Sequence, residues 1–355
     1  MRISTVARLS ALLIAVGCAH NPPPEFVPDS SLVAAIRSIR IIPPAGACPG
    51  ATIHTEYEAV LADSSRLPFA RSYDKAHPPR LHVAFLDLVS SDATAKSDGD
   101  WAAARDPMAT LTTGFRLTAR LRAKPSVTGA VVVPPDYDCL SRHFRFSGSS
   151  GVCCGLNGND GPDVTVRLAL LHSPFHEKLY VASIEVTGAR PVYILRDAGG
   201  SASADWLVVE TRGGSGGNGL DGSNGIDGSP GAPGCPGQPG GTGSNGSDGN
   251  RGGDGGNGGR VTVIVPVDQP DLARLVDGRS WGGTGGSGGN GGRGGRGGSG
   301  GIGLFDSNNQ PCSSGTDGAP GRDGMKGLDG IPRSSGRTSV VTTASPMIMP
   351  SQTRP

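Results

Sequence analysis

The sequence predicts an all-β protein in which an antiparallel β-sandwich is followed by a polyglycine II or collagen-like helical bundle. Short runs of alternating apolar and polar residues occupy much of 51–212. A strict Gly-X-Y period then begins at Gly213, where the composition changes sharply. The two patterns call for different backbones, so the boundary between the predicted domains falls near residue 212.

The alternating runs predict half-buried strands. Residues 53–61 and 115–121 place apolar side chains at every second position, with His, Glu, Thr or Arg between them. About nine such runs, separated by Gly, Pro and Asp, are typical of a β-sandwich over 51–212. Helical patterning competes only in 32–41 and 101–111.

The Gly-X-Y blocks share one register, because every lattice glycine stands at a position divisible by three. The blocks span 213–260, 282–305 and 315–332. This period requires a helix with three residues per turn whose glycine column faces a neighbouring backbone. We therefore divide this part of the chain into a Gly-X-Y block over 213–260, a strand-helix insert over 261–281, Gly-X-Y blocks over 282–332 and a disordered tail over 333–355.

Two arrangements satisfy such a period, a collagen-like homotrimer and a monomeric bundle in which one chain folds back on itself. The repeats contain few prolines for a collagen, all at the Y position. In the middle block X is almost always glycine, which leaves two bare faces for neighbours. The apolar strand over 261–267 and the short helix over 271–276 also need a surface that buries them, which a long rod lacks. These features favour the monomeric bundle.

The middle block projects one row of polar side chains, which we take as the candidate binding surface: Thr284, Ser287, Asn290, Arg293 and Arg296. Its Gly-Gly-X triplets resemble those of springtail antifreeze proteins and phage tail-fibre tips. The outer blocks, with Gly-Ala-Pro, Gly-Cys-Pro and Gly-Arg-Asp triplets, resemble bacterial collagen-like surface lipoproteins. The Gly-Gly-X resemblance implies a helix type and not an activity.

Residues 1–17 predict a signal peptide, since Arg2 and Arg8 precede a short apolar run. The tetrapeptide ending in Cys18 resembles the lipobox of bacterial lipoproteins. This resemblance implies that Cys18 is lipidated with palmitate-type chains and attaches the protein to a membrane, and Ala19 implies the outer membrane or cell surface. Residues 18–50 would then be a lipidated, Pro-rich tether.

The other six cysteines are disulfide candidates, because their even number suits an oxidising compartment. Pairing within each region is the simplest arrangement, and a Cys235–Cys312 bond would join distant Gly-X-Y segments. A zinc set of Cys139, His143, Cys153 and Cys154 matches no standard finger spacing, so we expect no metal. The six candidates are Cys48, Cys139, Cys153, Cys154, Cys235 and Cys312.

The sequence predicts no enzyme. It contains no nucleotide-binding loop or nucleophile elbow in a strand-to-helix setting, so we assign no catalytic residue and no cofactor. With 32 Lys and Arg against 31 Asp and Glu, no global field would attract nucleic acid. The basic row Arg116, Arg120, Arg122 and Lys124 indicates a solvated strand face or a contact with an anionic polysaccharide.

We therefore expect a non-enzymatic surface lipoprotein with a structural or adhesive role, whose partner is an envelope or extracellular polymer. One alternative is a saccharide-binding module with the glycine-rich part as spacer. An ice-binding protein is a weaker alternative, because arginines interrupt the polar row. A hydrolase site assembled from distant residues is a further alternative, since it would leave no local motif.

Overall fold

The computed structural model describes residues 22–23, 25–199 and 206–344. β-Structure dominates, with several antiparallel sheets, which confirms the all-β class. The chain divides into two compact units. Unit 1 contains residues 1–140 and 173–176, and unit 2 contains the remainder. The predicted signal peptide and Cys18 lie outside the described residues.

Unit 1 consists of a short helix and three antiparallel three-stranded sheets, with strand orders β1-β3-β4, β2-β7-β6 and β5-β8-β9. Its elements are α1 (Ser30–Ala35), β1 (Ile36–Ile42), β2 (Thr52–Ile53), β3 (Glu56–Leu61), β4 (Arg66–Pro68), a 3₁₀ turn (Val83–Phe85), β5 (Leu86–Val89), β6 (Ala93–Ala95), β7 (Trp101–Ala103), β8 (Phe115–Leu121) and β9 (Lys124–Val133).

One hydrophobic core holds unit 1 together. The alternation in β8 buries Phe115, Leu117 and Leu121 completely, while its intervening polar residues face outward. The weak helical pattern over 32–41 resolves into two elements. α1 begins behind Asp29, whose Oδ1 accepts a hydrogen bond from the Ser31 amide at 2.6 Å, and the β-branched residues that follow form β1.

Unit 2 contains two sheets, one wholly parallel with order β10-β14-β16 and one mixed with order β13-β12-β11-β15-β17. Its elements are β10 (His143–Ser147), β11 (Val164–Leu171), β12 (Leu179–Val186), β13 (Val192–Asp197), β14 (Leu207–Arg212), β15 (Val261–Pro266), a 3₁₀ helix (Pro270–Leu275), β16 (Val276–Trp281) and β17 (Thr338–Thr343).

Three glycine-rich segments connect these two sheets. We call them the first (148–163), second (213–260) and third (282–336) glycine hairpins. Each one leaves a strand of the β10-β14-β16 sheet, turns back, and leads into a strand of the other sheet, namely β11, β15 or β17. The strand order in both sheets equals the hairpin order, so unit 2 is a threefold repeat of strand, glycine hairpin and strand.

This repeat changes the expected domain boundaries. The predicted sandwich ended at 212, but 141–172 and 177–212 belong to the glycine-rich unit, because β11 pairs with β15 and β14 pairs with β16. Much of that pairing is parallel, which the sequence did not indicate.

The tail also differs from expectation. We expected 333–355 to be disordered, but β17 (Thr338–Thr343) pairs in parallel with β15. This short segment, Thr-Ser-Val-Val-Thr-Thr, is rich in β-branched residues, which favour a strand. Residues 345–355 lie outside the described residues.

Candidate interaction surface

Backbone hydrogen bonds at every third residue join the glycine hairpins sideways. Along the second hairpin, each lattice glycine from Gly213 to Gly258 donates to a carbonyl of the 281–334 region, as Gly222 does to Asn290 at 2.7 Å. Its two arms also bond to each other in antiparallel fashion, as shown by the Gly253 amide and the Gly217 carbonyl at 2.9 Å. Each arm thus bonds its backbone to the neighbouring arms.

Glycine is required where two arms touch. A Cβ atom on Gly292 would lie 1.9 Å from the carbonyl oxygen of Ser223, and one on Gly253 would lie 2.0 Å from that of Leu156. No side chain fits at such distances. The X positions that carry side chains, such as Leu220 and Ile226, are exposed.

Side chains of Asn and Asp set the register between hairpins. Four consecutive Y-position residues of the second hairpin each accept a hydrogen bond from a main-chain amide of the third, 69 positions further along the chain. The pairs, with their Oδ1–N distances, are Asn218 with Ser287 (3.0 Å), Asp221 with Asn290 (2.7 Å), Asn224 with Arg293 (2.8 Å) and Asp227 with Arg296 (2.6 Å). Asn and Asp are interchangeable here, because both offer an oxygen acceptor at Oδ1.

The first hairpin uses the same device, and the sequence reasoning missed it. Asn157, Asp160 and Asp163 accept from amides of the second hairpin, each 97 positions away. These residues stand in three Gly-X-Asx triplets over 155–163, whose glycines fall outside the register of the later blocks. The Asx residue two positions after each glycine was the signal that could have revealed this hairpin.

The predicted binding row lies on the third hairpin. Thr284, Ser287, Asn290, Arg293 and Arg296 are all exposed. Thr284 Oγ1 contacts Ser215 Oγ at 3.1 Å. The side chains of the other four make no hydrogen bond or ion pair within the described part of the chain, while the Asx side chains occupy their main-chain amides. The row therefore presents one exposed side chain at every third position of a hydrogen-bonded backbone.

Side chains of the second and third hairpins also accept hydrogen bonds from main-chain amides along the two outer edges of the hairpin array. Asp329, Asp323 and Asp317 accept from the amides of Gly288, Gly294 and Gly300, at 2.8, 2.7 and 2.8 Å. On the opposite edge the hydroxyls of Ser247 and Ser244 accept from the amides of Ser223 and Ile226, both at 2.7 Å.

Asp254 links the returning arms of the second and third hairpins. Asp254 is buried. Its carboxylate accepts a hydrogen bond from the Ile331 amide at 2.9 Å and forms ion pairs with Arg251 and Arg333. The hydrogen bond from Ile331, together with the two guanidinium groups, lowers the pKa of this carboxyl.

The cysteines resolve into two disulfides and two thiols. Cys48–Cys139 and Cys235–Cys312 are bonded, as pairing within each region predicts. Cys153 and Cys154 are exposed free thiols, so these two disulfide candidates are not paired in the structure. Cys139 is bonded to Cys48, so it is not available as a zinc ligand together with His143, Cys153 and Cys154. The described residues contain no group of three or more His, Cys, Asp or Glu that could hold a metal ion.

In unit 1 the polar residues support the core. The buried Asp100 accepts from His54 Nδ1 at 2.6 Å and pairs with Arg71 at 2.7 Å. Burial raises the pKa of Asp100, but the hydrogen bonds from Arg71 and His54 outweigh it and leave the pKa lowered. In the same region the Tyr57 hydroxyl donates a hydrogen bond to the Gly99 carbonyl and accepts one from Trp101 Nε1 at 2.9 Å.

The basic row of β8 and β9 is largely engaged within the fold. Arg116 pairs with the buried Asp92 at 3.0 Å, Arg122 donates to the Leu86 carbonyl, and Lys124 donates to the Ala34 and Ile36 carbonyls. These contacts leave few free cations on this face, which makes the row a weak candidate for a polysaccharide site.

Comparisons with known proteins add no relationship. No protein-family model matches the chain, and no curated protein or solved structure matches it either. Within the described ranges, the structure has no helix of the length and apolarity needed to span a membrane.

Proposed function

We propose that this protein is a non-enzymatic surface lipoprotein whose unit 2 displays a rigid polar surface with a structural or adhesive role. The observation that carries the proposal is the row from Thr284 to Arg296, whose side chains are exposed while its backbone is held by the Asx side chains. Such a row loses little conformational freedom on binding, so it suits contact with an extended, repetitive partner.

We also propose that the glycine hairpins are a polyglycine II bundle formed by one chain. The period of three supports it, as do the lateral hydrogen bonds and the glycine-only contacts between arms. A collagen triple helix needs three chains, whereas here the partner carbonyls belong to the same chain. A monomer of the full chain in light scattering would agree with the bundle, and an elongated trimer would contradict it.

The proposed lipidation and localisation rest on the sequence alone. The lipobox-like tetrapeptide before Cys18 supports lipidation, and Ala19 supports placement at the outer membrane or cell surface. Metabolic labelling with a palmitate analogue tests this directly, since Cys18→Ser would abolish the label.

The adhesive role is tested by co-sedimentation of the chain with purified peptidoglycan and, separately, with outer-membrane vesicles. The variant Arg293→Glu/Arg296→Glu reverses the charge of the row without touching the hydrogen-bonded backbone. We expect it to lose at least tenfold in binding, whereas Arg37→Glu/Arg105→Glu, at two exposed arginines of unit 1, serves as the charge-matched control. Equal losses in both variants, or no binding by the wild type to either polymer, would contradict the proposal.

The saccharide-binding alternative gives a different result in the same assay. If unit 1 carries the binding and the glycine-rich unit is only a spacer, the Arg293→Glu/Arg296→Glu variant keeps its full affinity. That outcome would assign the binding site to unit 1.

A further inference from the structure

Cysteines mark the turn of every glycine hairpin. The second hairpin turns at Cys235, and Cys312 lies in the loop at the turn of the third, where the two form a disulfide. The first hairpin turns at Cys153, Cys154 and Gly155, where the Leu156 amide donates to the Cys153 carbonyl at 3.0 Å. Here both cysteines are reduced and exposed.

Hydrogen bonds to the second hairpin hold this turn on both its N-terminal and its C-terminal side. Before it, the Gly151 amide donates to the Ser215 carbonyl at 2.8 Å, and after it the Gly155 amide donates to the Asn218 carbonyl at 3.0 Å. Cys154 adopts a positive φ of 62°, which allows the chain to reverse within two residues. The turn therefore holds two neighbouring thiols in place.

The two thiols belong to neighbouring residues, and both are exposed. Interaction with the Cys153 side chain raises the pKa of the Cys154 thiol. The remaining cysteines of the described residues are consumed in disulfides, so this pair is the one dithiol that the described part of the chain presents to solvent.

We propose that Cys153 and Cys154 form a binding site for a thiophilic electrophile that takes both sulfur atoms on one centre, of which trivalent arsenic is the representative. The proposal is independent of the adhesive role. Zinc is a poor fit, because it takes four ligands and the described residues offer no third His, Cys, Asp or Glu at this turn. An organoarsenic group brings its own third substituent and needs two sulfurs only.

The reaction with phenylarsine oxide balances without an oxidant. Both S–H bonds break, two As–S bonds form, and the oxygen leaves arsenic as water with the two thiol protons. Arsenic stays trivalent and the phenyl group stays attached. The dithiol binds the arsenical more tightly than a single thiol does, because the second As–S bond forms intramolecularly, at a high effective concentration.

The test uses the full chain with Cys18→Ser, so that no other thiol is counted, and phenylarsine oxide as the probe. We expect two titratable thiols, one bound arsenical by intact mass, and loss of both thiols on binding. Cys153→Ser and Cys154→Ser should each weaken binding at least 100-fold. The double variant should bind none, and all variants should keep the wild-type thermal unfolding curve.

Three results would overturn the site. These are single variants that bind as tightly as the wild type, a wild-type chain that binds no arsenical although both thiols titrate, or fewer than two titratable thiols in the folded chain. The variant Ser150→Ala, in the same arm, controls for non-specific effects and should bind normally.

Discussion

The Oδ1 atom of Asp227 lies 2.6 Å from the backbone nitrogen of Arg296, a residue 69 positions later in the chain. The same separation joins three earlier Asx residues to the third hairpin. A slip by one or two residues would move each Asx side chain away from the Y-position amide that it accepts from. The Asx side chains thus fix the phase between two segments whose glycine backbones are otherwise uniform.

Asp227→Ala should destabilise unit 2 by about 1 kcal/mol, because it removes one hydrogen bond to a backbone amide. Asp227→Asn keeps the Oδ1 acceptor and should be close to wild type. Urea unfolding measures both variants. Equal destabilisation by the two would mean that the carboxylate charge, and not the acceptor, matters.

Gly292→Ala should destabilise unit 2 by more than about 3 kcal/mol, because its Cβ would meet the Ser223 carbonyl and force the arms apart. Ser287→Ala, an exposed Y position in the same arm, is the control and should change stability by less than about 0.5 kcal/mol. Thermal unfolding followed by circular dichroism compares the two. A tolerated Gly292→Ala would show that the arms can separate without loss.

Cys235→Ser/Cys312→Ser should lower the stability of unit 2 by about 4 kcal/mol, because the bond constrains a loop of 77 residues in the unfolded chain. Reductant should have the same effect on unit 2 of the wild type and none on unit 2 of the variant, because the remaining disulfide, Cys48–Cys139, lies in unit 1. Cys153→Ser/Cys154→Ser removes two cysteines without removing a disulfide, and it should unfold as the wild type does.

The stability of unit 1 should fall in acid through Asp100. Its pKa is lowered in the folded state, so its stabilising contribution is complete above the unfolded pKa near 3.8 and is lost as the pH falls through the folded value. Asp100→Asn should be less stable at pH 7 and should show a shallower loss between about pH 5 and pH 2. Urea titrations across this range measure the slopes, with the exposed Asp74→Asn as control. An unchanged slope in Asp100→Asn would assign the acid sensitivity to other carboxyls.

Ending the chain after Gly336 should destabilise unit 2, because it removes β17 and leaves the edge of β15 unpaired. Ending it after Ala344 keeps β17 and should leave the unfolding midpoint unchanged. Hydrogen exchange of the Val261 amide, which donates to the Arg337 carbonyl at 3.0 Å, gives a local readout. Full protection of this amide in the shorter chain would show that β17 contributes nothing.

The sequence predicted those features that depend on short periods. Alternation gave the strands around Tyr57 and Phe115, and the period of three gave the second and third hairpins with the Cys235–Cys312 pair. The threefold repeat was not visible, because its first member has only a few triplets and the β12–β13 insertion follows it. The row from Thr284 to Arg296 is visible in the sequence as Y positions of the middle block, whereas the Asx side chains that bond its amides depend on pairing between residues 69 apart. The network around Asp100 likewise joins residues that no local pattern connects.

Side chains of the chain occupy part of the backbone that a further copy would need for lateral hydrogen bonds. Asp317, Asp323 and Asp329 accept from amides of the third hairpin, and the hydroxyls of Ser244 and Ser247 accept from amides of the second. The exposed side chains of Leu220 and Ile226 keep a further glycine backbone from approaching the second hairpin. Copies of the chain that meet side by side therefore find fewer open amides through which to extend the hydrogen bonding between hairpins.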